Sequence, residues 1–221
     1  MYKTEELFEL EHSLAGTYLK QYEYPWQVLG NISELIIELG NKLDKKNYTE
    51  IKENVWVEKS ANIYPSAYIN GPCIIGKNSE VRHCAFIRGS ALIGDNCVVG
   101  NSVELKNVIL FDNVQVPHFN YVGDSILGYK AHMGAGSITS NIKSDKTLVV
   151  VRNSEEELET GLKKFGAILG DYVEVGCNSV LNPGTVVGKN TNIYPLSRVR
   201  GQVPNNSIYK DSDNIVEKNE D

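Results

Sequence analysis

Two of the four histidines of this 221-residue chain, His118 and His132, lie in one stretch with a glycine-rich run, VPHFNYVGDSILGYKAHMGAGSITSN (116–141). An imidazole has an ordinary pKa of about 6.5 and can take a proton from an amine as a general base. The run GAGS at 134–137 either forms a tight corner or leaves backbone N–H groups open beside a groove that admits a thioester carbonyl. A lone histidine in a turn can equally be a packing residue, so the stretch alone leaves both roles open.

Two basic residues, Arg88 and Lys106, are eighteen positions apart. Each follows an aliphatic residue, and Tyr121 lies beside Val122, where the next such position falls. If the chain stacks residues at this spacing, two positive charges lie about 5 Å apart and repel unless an anion lies between them or solvent screens them. A bound phosphate and a solvated pair of surface cations are the two interpretations.

The elements that hold these residues follow from a repeat in which an aliphatic residue returns at every sixth position. Nine such residues occur without a break: Val57, Ile63, Ile69, Ile75, Val81, Ile87, Ile93, Val99 and Leu105. A looser series contains Leu110, Val116, Val122, Leu127 and Met133, and the regular spacing returns at Leu169, Val175, Leu181, Val187, Ile193 and Val199. Neither a helical period nor the alternation of an ordinary strand produces this series, whereas a unit of one short strand and one turn does.

Three such units close a triangular coil, and stacked coils pair as parallel strands about 4.8 Å apart. Gly, Asn and Asp gather at the unit corners, as in IGKNSE, IGDNCV and VGKNTN, where left-handed backbone is needed. The sequence therefore predicts an all-β solenoid, a parallel β-helix of hexapeptide repeats with roughly seven coils.

Three segments depart from the repeat. Residues 1–50 show helical spacing, with Pro25 placed to begin the second helix, and are predicted to form a small N-terminal helical cap on the open end of the solenoid. Residues 51–205 form the β-helix domain, within which 142–165 are a loop insertion that is either functional or disordered. Residues 206–221 are a charged C-terminal tail that is expected to fray.

The composition narrows the class of protein. A net charge of −6 without a basic tract argues against binding of nucleic acid. With no secretion signal and no apolar run long enough to span a membrane, a cytoplasmic protein is expected. The four cysteines form no CxxC pair and are expected to be buried thiols. The histidines lack the spacing of a zinc site, so no metal is expected.

Four stretches resemble one known family: GNSVELKNV (100–108), HFNYVGDS (118–125), GAGSITSN (134–141) and FGAILGDYVEVGCNSVLNPGTVVG (165–188). They are similar to the acetyltransferase half of bifunctional bacterial and archaeal sugar-1-phosphate nucleotidyltransferases, typified by the N-acetylglucosamine-1-phosphate uridyltransferase/glucosamine-1-phosphate acetyltransferase. The similarity covers about residues 55–205, and its H-x-x-Y-x-G-D and G-A-G-[ST]-x-x-x-N signatures are far more specific than the repeat. The resemblance implies left-handed winding, acetyl-CoA as co-substrate, an amino-sugar phosphate as acceptor, and a homotrimer.

The resemblance also implies roles for individual residues. His118 corresponds to the family's general base, and Ala135 to the residue whose backbone N–H faces the thioester oxygen. Arg88, Lys106 and Tyr121 correspond to the residues that hold the sugar phosphate.

Further positions are implied for catalysis and for the coenzyme. Asn141 corresponds to a residue of the acceptor and acetyl-CoA site, and Lys146 approximately to a loop lysine. Cys177 and Pro195 correspond to positions along the coenzyme A track, which includes Ala135.

Three of these positions depart from the family pattern. His132 replaces an asparagine that contacts the sugar amine region, and Cys177 and Pro195 replace the small Ser and Ala usual in the bacterial enzyme.

The expected function is acetyl-CoA-dependent N-acetylation of an amino-sugar phosphate such as glucosamine-1-phosphate, in nucleotide-sugar or cell-envelope precursor synthesis. The alternatives are an acyltransferase with another amino-sugar or nucleotide-sugar acceptor or another acyl donor, and a non-catalytic sugar-phosphate-binding β-helix related to UDP-N-acetylglucosamine pyrophosphorylases. No nucleotidyltransferase activity is expected, because the helical N-terminal segment cannot supply a Rossmann-like domain.

The expected positions of the site residues on the corners of the coil also predict an oligomer. His118 and Asn141 are expected on corners apart from the stack of Arg88, Lys106 and Tyr121, too far apart for one sugar phosphate to bridge on one prism. We therefore expect a homotrimer with three composite sites. The 142–165 insertion, with its lysines Lys146, Lys163 and Lys164, is expected to reach a neighbour's cleft.

Overall fold

A computed structural model describes residues 1–219 and shows a left-handed parallel β-helix of about nine turns, which confirms the predicted fold class. The number of turns exceeds the roughly seven expected from the repeat. Strands such as Gln202–Val203 and Ser207–Asp211 extend the stack beyond the last strictly periodic residue.

The helices are short and all precede the first strand. The α-helices are α1 (Thr4–Leu7), α2 (Gly16–Leu19) and α3 (Ile32–Lys42), and the 3₁₀ helices are Leu10–His12 and Pro25–Val28. None of the helices in residues 1–219 combines the length and apolar character needed to cross a bilayer.

Most strands are two to four residues long, as expected for a coil with three short sides. They are β1 (Tyr48–Lys52), β2 (Val55–Glu58), β3 (Asn62–Ile63), β4 (Tyr68–Ile69), β5 (Cys73–Ile75), β6 (Glu80–Val81), β7 (Phe86–Ile87), β8 (Ala91–Ile93), β9 (Val98–Asn101), β10 (Glu104–Leu110), β11 (Gln115–His118), β12 (Tyr121–Leu127), β13 (His132–Met133), β14 (Ile138–Thr139), β15 (Val150–Arg152), β16 (Glu157–Glu159), β17 (Ala167–Leu169), β18 (Glu174–Val175), β19 (Val180–Leu181), β20 (Thr185–Val187), β21 (Asn192–Ile193), β22 (Arg198–Val199), β23 (Gln202–Val203), β24 (Ser207–Asp211) and β25 (Asn214–Glu217).

The strands form a 14-stranded sheet, a 9-stranded sheet and a separate 2-stranded hairpin. The register follows the coil pitch, so Val81 lies opposite Val99, eighteen positions on. The pitch shortens to seventeen where Leu105 pairs with Val122, in the part of the sequence where the six-residue steps become irregular. All four of these side chains are fully buried, and together with their counterparts in other coils they form one core along the axis.

Asparagine and glycine have different roles at the corners of the coil. Asn96 and Asn190 each have a φ of 55°, in the left-handed region that asparagine tolerates better than most residues. Gly94 is required for a different reason, because a Cβ there would lie 2.6 Å from Asp112 Oδ1 in the next coil. The asparagine therefore turns the chain, and the glycine lets the next coil approach.

The N-terminal helical segment lies along one side of the solenoid and not over its open end, which corrects the predicted position of the cap. The Asn205 N–H donates to Tyr2 Oη (2.9 Å) beside the last coils. The Asp171 N–H donates to the Leu7 carbonyl (3.0 Å) farther along, and α3 packs on β5, β8 and β10. A flank offers more apolar area than one terminal coil, and the stabilisation from burial grows with area. The buried apolar side chains of the segment are Leu7, Phe8, Ala15, Leu19, Trp26, Val28, Leu29, Ile32, Leu35 and Ile36.

Antiparallel hairpins terminate the two large sheets. At one end β1 pairs with β2, and at the other β24 pairs with β25. Both hairpins have a register irregularity, between Glu50 and Lys52 and between Tyr209 and Asp211, and such irregularities hinder pairing of a sheet edge with another chain. The region expected to fray after residue 206 is therefore an ordered hairpin over residues 207–217. Residues 220 and 221 of the predicted tail lie outside the described residues.

The insertion at 142–165 packs against the solenoid. It contains the antiparallel hairpin of β15 and β16, and its residues Val149, Val151 and Phe165 are fully buried. A Cβ on Gly184 would lie 2.8 Å from the Val150 carbonyl oxygen, so the hairpin touches the coil backbone. The insertion is an ordered part of the fold.

The cysteines divide into two pairs, and all four are free thiols. Cys73 and Cys97 are buried, and burial raises the pKa of each thiol to about 12. Cys84 and Cys177 are exposed, so the expectation of four buried thiols is wrong for these two. Cys84 has a φ of 58°, in the left-handed region found at the turns of the coil.

Candidate functional site

His118 ends β11 and exposes its side chain at a corner of the coil. Its backbone N–H donates to Asn120 Oδ1 (3.1 Å), and its carbonyl accepts from the Gly136 N–H (3.1 Å). Asn120 is only 2% exposed, and its Nδ2 donates to the carbonyls of Gly134 (2.9 Å) and Ser137 (3.0 Å). One buried amide therefore fixes His118 against the glycine-rich turn.

The glycine-rich turn leaves one backbone N–H without a partner. Gly136 has a φ of 72°, and a Cβ on Gly134 would lie 2.8 Å from the Cys177 nitrogen. The Ala135 carbonyl accepts from the Asn178 N–H (2.9 Å), whereas the Ala135 N–H donates to no atom within residues 1–219. Such an N–H is a donor available to a negatively charged oxygen.

Cys177 and Pro195 lie at the same corner as Ala135, one and two coils farther on. The Leu196 N–H donates to the Cys177 carbonyl (2.9 Å), which repeats the bond made by the Ala135 carbonyl. Cys177 and Pro195 are both exposed. The structure therefore brings these three predicted coenzyme positions into one row that begins beside His118.

A second group lies across the turn from His118, on the 14-stranded sheet. Asn141 Nδ2 donates to Tyr121 Oη (3.1 Å) and to Asp124 Oδ2 (2.5 Å). Lys106 Nζ lies 2.7 Å from Asp124 Oδ1, and the Asp124 side chain is 4% exposed. We call these four residues, Lys106, Tyr121, Asp124 and Asn141, the Asp124 cluster. The expectation that Asn141 lies on a corner apart from Tyr121 is wrong, because Asn141 follows a strand that pairs directly with β12.

The register of β7 and β10 places Arg88 beside Lys106, as the spacing predicts. Each cation nevertheless has its own carboxylate. Arg88 Nη1 lies 2.8 Å from Glu104 Oε1, and Lys106 is paired within the Asp124 cluster. Tyr121 aligns with Glu104 and not with Lys106. The repulsion expected between two bare cations is thus offset inside the protein, and no external anion is required to hold them together.

Burial raises the pKa of the Tyr121 hydroxyl above its ordinary value, and the negative charges of Asp124 and Glu104 add to this shift. Arg88 and the hydrogen bond from Asn141 act in the opposite direction. The phenol therefore stays protonated at neutral pH. While its oxygen accepts from Asn141, its proton remains available for a ligand oxygen.

His132 lies on the 9-stranded sheet, away from the Asp124 cluster. Its Nδ1 lies 2.7 Å from Glu174 Oε2. His132 aligns with Gln115 of the neighbouring strand. Gln115 is three positions before His118, so the Cα atoms of Gln115 and His118 are roughly 10 Å apart along the strand. Within one chain the structure does not bring His132 to the other predicted acceptor residues.

The lysines of the insertion, Lys146, Lys163 and Lys164, are all exposed. Lys146 has a φ of 57°, and its N–H donates to the Lys143 carbonyl (3.0 Å). In the part of the chain that the structure describes, the Lys146 ammonium forms no ion pair. The structure therefore does not join it to the row of coenzyme positions.

Sequence reasoning did not single out three buried polar residues: Asn120, Asp124 and Thr139. Thr139 Oγ1 accepts from the Gly123 N–H (2.9 Å) and so supports β12. A signal for Asp124 was present, because it is the last residue of the H-x-x-Y-x-G-D signature. Nothing in the repeat distinguishes Asn120 and Thr139 from ordinary turn residues.

The arrangement can perform proton removal and can stabilise a developing oxyanion. An exposed imidazole lies beside an open backbone N–H, and the neighbouring face holds two cations and a protonated phenol. Within residues 1–219, no three side chains of His, Cys, Asp or Glu are grouped so that they could hold a metal ion.

A family model described as the GMPPB C-terminal domain matches residues 69–191, which are more than half of the chain. The matched range contains His118, Arg88, the glycine-rich turn and the whole Asp124 cluster.

Two relatives match most of this chain. The bifunctional protein GlmU of Methanococcus maripaludis strain S2 is 33% identical over 212 residues, which cover 93% of this chain and 51% of the relative. The bifunctional sugar-1-phosphate nucleotidylyltransferase/acetyltransferase of Sulfurisphaera tokodaii is 31% identical over 192 residues, which cover 84% of this chain and 47% of the relative. The chain spans about half the length of these relatives.

Two solved structures show a weaker likeness. A point mutant of AntD, an N-acyltransferase from Bacillus cereus in complex with dTDP and coenzyme A, has a TM-score of 0.40 and 15% identity, covering 79% of this chain and 91% of that chain. A hexapeptide transferase family protein from Anaplasma phagocytophilum has a TM-score of 0.42 and 15% identity, covering 75% of this chain and 81% of that chain.

Proposed function

This chain belongs to the GMPPB C-terminal domain family, and we propose that it is an acetyl-CoA-dependent N-acetyltransferase that acts on an amino-sugar phosphate such as glucosamine-1-phosphate. The observation that carries the proposal is the exposed His118 side chain, on backbone that buried Asn120 fixes beside the unpaired Ala135 N–H. A base and an oxyanion donor at one corner are what acyl transfer to an amine requires. The name of the 31% identical relative, which includes an acetyltransferase function, supports the same assignment.

The proposed reaction starts from a sugar ammonium, which has no lone pair for attack. His118 takes one proton, and the free amine nitrogen forms a bond to the thioester carbonyl carbon. The negative charge that develops on the carbonyl oxygen is stabilised by the Ala135 N–H. The carbonyl then re-forms as the carbon–sulfur bond breaks. The attacking nitrogen loses its second proton, which the departing coenzyme A thiolate takes up directly or through solvent.

The Asp124 cluster and Arg88 are proposed to hold the acceptor. Asp124 accepts one of the three N–H donors of the Lys106 ammonium, so two remain for phosphate oxygens. The Tyr121 hydroxyl accepts from the Asn141 amide and keeps its own proton for the acceptor.

The coenzyme is proposed to lie along the row of Ala135, Cys177 and Pro195. Open backbone at this corner can pair with the amides of the pantetheine arm. Lys146 is assigned to the coenzyme as well, from a neighbouring chain, because its position on its own chain is apart from the row.

A different acceptor or acyl donor is the second candidate. The observation that favours it is the pair of His132 with Glu174, since a histidine held by a carboxylate stands where the family has an asparagine. The reaction class and the role of His118 are the same in both candidates.

Release of free thiol from acetyl-CoA, measured across a panel of amino-sugar phosphates, tests the proposal. Rapid release with glucosamine-1-phosphate supports it. Release only with another acceptor, or only with another acyl-CoA, supports the second candidate. If the folded protein releases no thiol with any member of the panel, both are contradicted and a non-catalytic sugar-phosphate-binding protein is favoured.

We also propose that the chain forms a homotrimer with composite sites. Apolar side chains are exposed around the candidate site, with Phe119 at 61%, Leu196 at 80% and Ile142 at 48%. Covering them with a second chain removes this apolar area from water, and threefold closure avoids an open chain of contacts.

Light scattering and subunit mixing test the assembly. A trimer made from His118→Ala and Lys146→Ala chains, each impaired alone, would regain both residues at about a quarter of its sites if they come from different chains. A fully active monomer contradicts the proposal. A mixture whose activity never exceeds the average activity of the two variants also contradicts it.

A further inference from the structure

The last coils and the insertion enclose a cleft that the candidate site does not use. Its volume is about 490 Å³, within the range of about 300–1,000 Å³ found for small-molecule sites. Three arginines line it, Arg152 from the insertion hairpin, Arg198 from β22 and Arg200 just beyond that strand. The other polar residues of its lining are Asn153, Ser154, Asn182, Gln202, Tyr209 and Ser212.

The cleft carries positive charge in a chain whose net charge is −6. Arg152 Nη1 lies 3.4 Å from Glu157 Oε1, and that carboxylate partly neutralises it. Among residues 1–219, Arg198 and Arg200 form no ion pair. Unpaired like charges in one concave site concentrate the positive potential and attract anions.

The walls of the cleft are held in place by buried contacts. Tyr209 is 4% exposed, and its Oη donates to the Arg198 carbonyl (3.0 Å). A Cβ on Gly201, which has a φ of 78°, would lie 2.8 Å from the Arg152 carbonyl oxygen. The insertion hairpin therefore touches the coil at this point, and the backbone that carries the arginines is fixed by both sides of the cleft.

The cleft lies apart from the candidate acceptor site. Tyr121 pairs with Ile138, Ile138 with Val180, and Val180 with Arg198. Three coil steps therefore separate Tyr121 from Arg198, a distance of roughly 14 Å along the axis. One phosphate group cannot contact both arginines and the Asp124 cluster.

We propose that this arginine cleft, formed by Arg152, Arg198 and Arg200, is a binding site for a phosphate-bearing small molecule. A guanidinium forms two parallel hydrogen bonds with a phosphate and keeps its charge at every physiological pH. The amide side chains of the lining supply neutral donors and acceptors for the rest of the ligand. The phosphate belongs either to the nucleotide end of the coenzyme or to a separate phosphorylated metabolite.

Calorimetric titration with inorganic pyrophosphate at low ionic strength tests the proposal. The wild-type protein is compared with the double variant Arg198→Gln/Arg200→Gln, which retains Arg152 and its partner Glu157. The expected result is saturable binding that weakens about tenfold or more in the double variant. The matched control is Arg82→Gln, which removes an arginine paired at 2.8 Å with Glu80 on an early coil and is expected to leave binding unchanged.

The measurement does not depend on acetyl transfer, so its failure is separate from a failure of the proposed function. The Arg88→Gln variant, altered at the acceptor site, is expected to keep its affinity for pyrophosphate at the cleft. No saturable binding by the wild-type protein, or equal affinity in wild type and double variant, overturns the proposal.

Competition identifies the source of the phosphate. If coenzyme A displaces pyrophosphate and the double variant raises the apparent KM for acetyl-CoA, the cleft holds the coenzyme's phosphates. If pyrophosphate binds without competing with coenzyme A, the cleft holds a separate phosphorylated ligand. Both outcomes support a phosphate-binding site, and they differ in which molecule carries the phosphate.

Discussion

The coils before the candidate site and the coils that carry it bury different kinds of side chain. Over residues 55–115, Ser79 is the single buried polar side chain within the part of the chain that the structure describes. Over residues 116–141, five polar side chains are buried: Asn120, Asp124, Ser125, Ser137 and Thr139. Both regions share the same repeat and the same aliphatic core.

The larger number of buried polar side chains in residues 116–141 indicates that this region replaces some apolar packing with hydrogen bonds that position the candidate site. A buried polar side chain destabilises the fold unless its hydrogen bonds are satisfied. Asn120 and Asp124 satisfy theirs by holding the groups that surround the candidate site. The coils over residues 55–115 therefore serve mainly as a structural support. The coils over residues 116–141 also hold the groups of the candidate site in place.

The largest expected effect comes from His118→Ala, which should lower the rate of acetyl transfer by about 10² to 10⁴-fold, because the acceptor amine loses its base. The side chain is exposed, so the melting temperature should change little. His83→Ala is the matched control, since His83 is an exposed corner histidine on an early coil. Transfer by His118→Ala at the wild-type rate would remove this residue from the mechanism.

Asp124→Asn should affect both stability and activity. The amide cannot accept from Lys106, Asn107 and Asn141 together, so we expect the free energy of unfolding to fall by about 1–3 kcal/mol. Misplaced acceptor groups should also lower kcat by about tenfold to a hundredfold. Denaturant unfolding and steady-state kinetics measure the two effects.

The control for this variant is Asp112→Asn, which alters a half-buried carboxylate whose Oδ1 accepts from the Asp95 N–H (2.7 Å). We expect it to change stability and to leave kcat unchanged. If both variants lower kcat equally, the two regions do not differ in the way their buried polar groups suggest.

Arg88→Gln should raise KM for a phosphorylated acceptor by about tenfold and leave KM for the unphosphorylated amino sugar unchanged, because it removes a charged hydrogen bond to phosphate. Arg82→Gln is the control, since Arg82 is also paired with a glutamate and similarly exposed. An equal rise in KM for both acceptors would show that Arg88 does not contact the phosphate. Lys106 is less suitable for this test, because its removal leaves the buried Asp124 carboxylate without its cation.

The smallest expected effect is on thiol alkylation. The thiolate is the reactive form, and burial raises the pKa of Cys73 and Cys97 to about 12, so these two should stay unmodified at pH 8. The exposed Cys84 and Cys177 should react. Acetyl-CoA at about ten times its Kd should slow the alkylation of Cys177 about tenfold by occupancy, with Cys84 as the internal control. Mass spectrometry of the modified peptides measures all four sites, and equal protection of Cys84 and Cys177 would argue against the coenzyme row.

The sequence by itself determined the solenoid and the order of its coils. The spacing of aliphatic residues is a local property, and it predicts the unit, the pitch and the pairing of Arg88 beside Lys106. The stacking of Cys177 and Pro195 follows from the same pitch. The place of Ala135 in that row does not, because the aperiodic insertion separates it from Cys177 and the structure brings the two together. The roles of His118 and Tyr121 came from the signature that contains them and stay proposals.

Only the tertiary structure decided what the repeat does not encode. The helical segment lies along a flank because its apolar side chains find more area there than on an end, and no periodicity specifies that choice. The carboxylate partners of Arg88 and Lys106, and the contact of Asn141 with Tyr121, depend on side-chain positions in neighbouring coils. The arginine cleft joins Arg152 to Arg198 and Arg200 across an aperiodic insertion. Such contacts form between segments far apart in sequence, so packing fixes them and residue spacing does not.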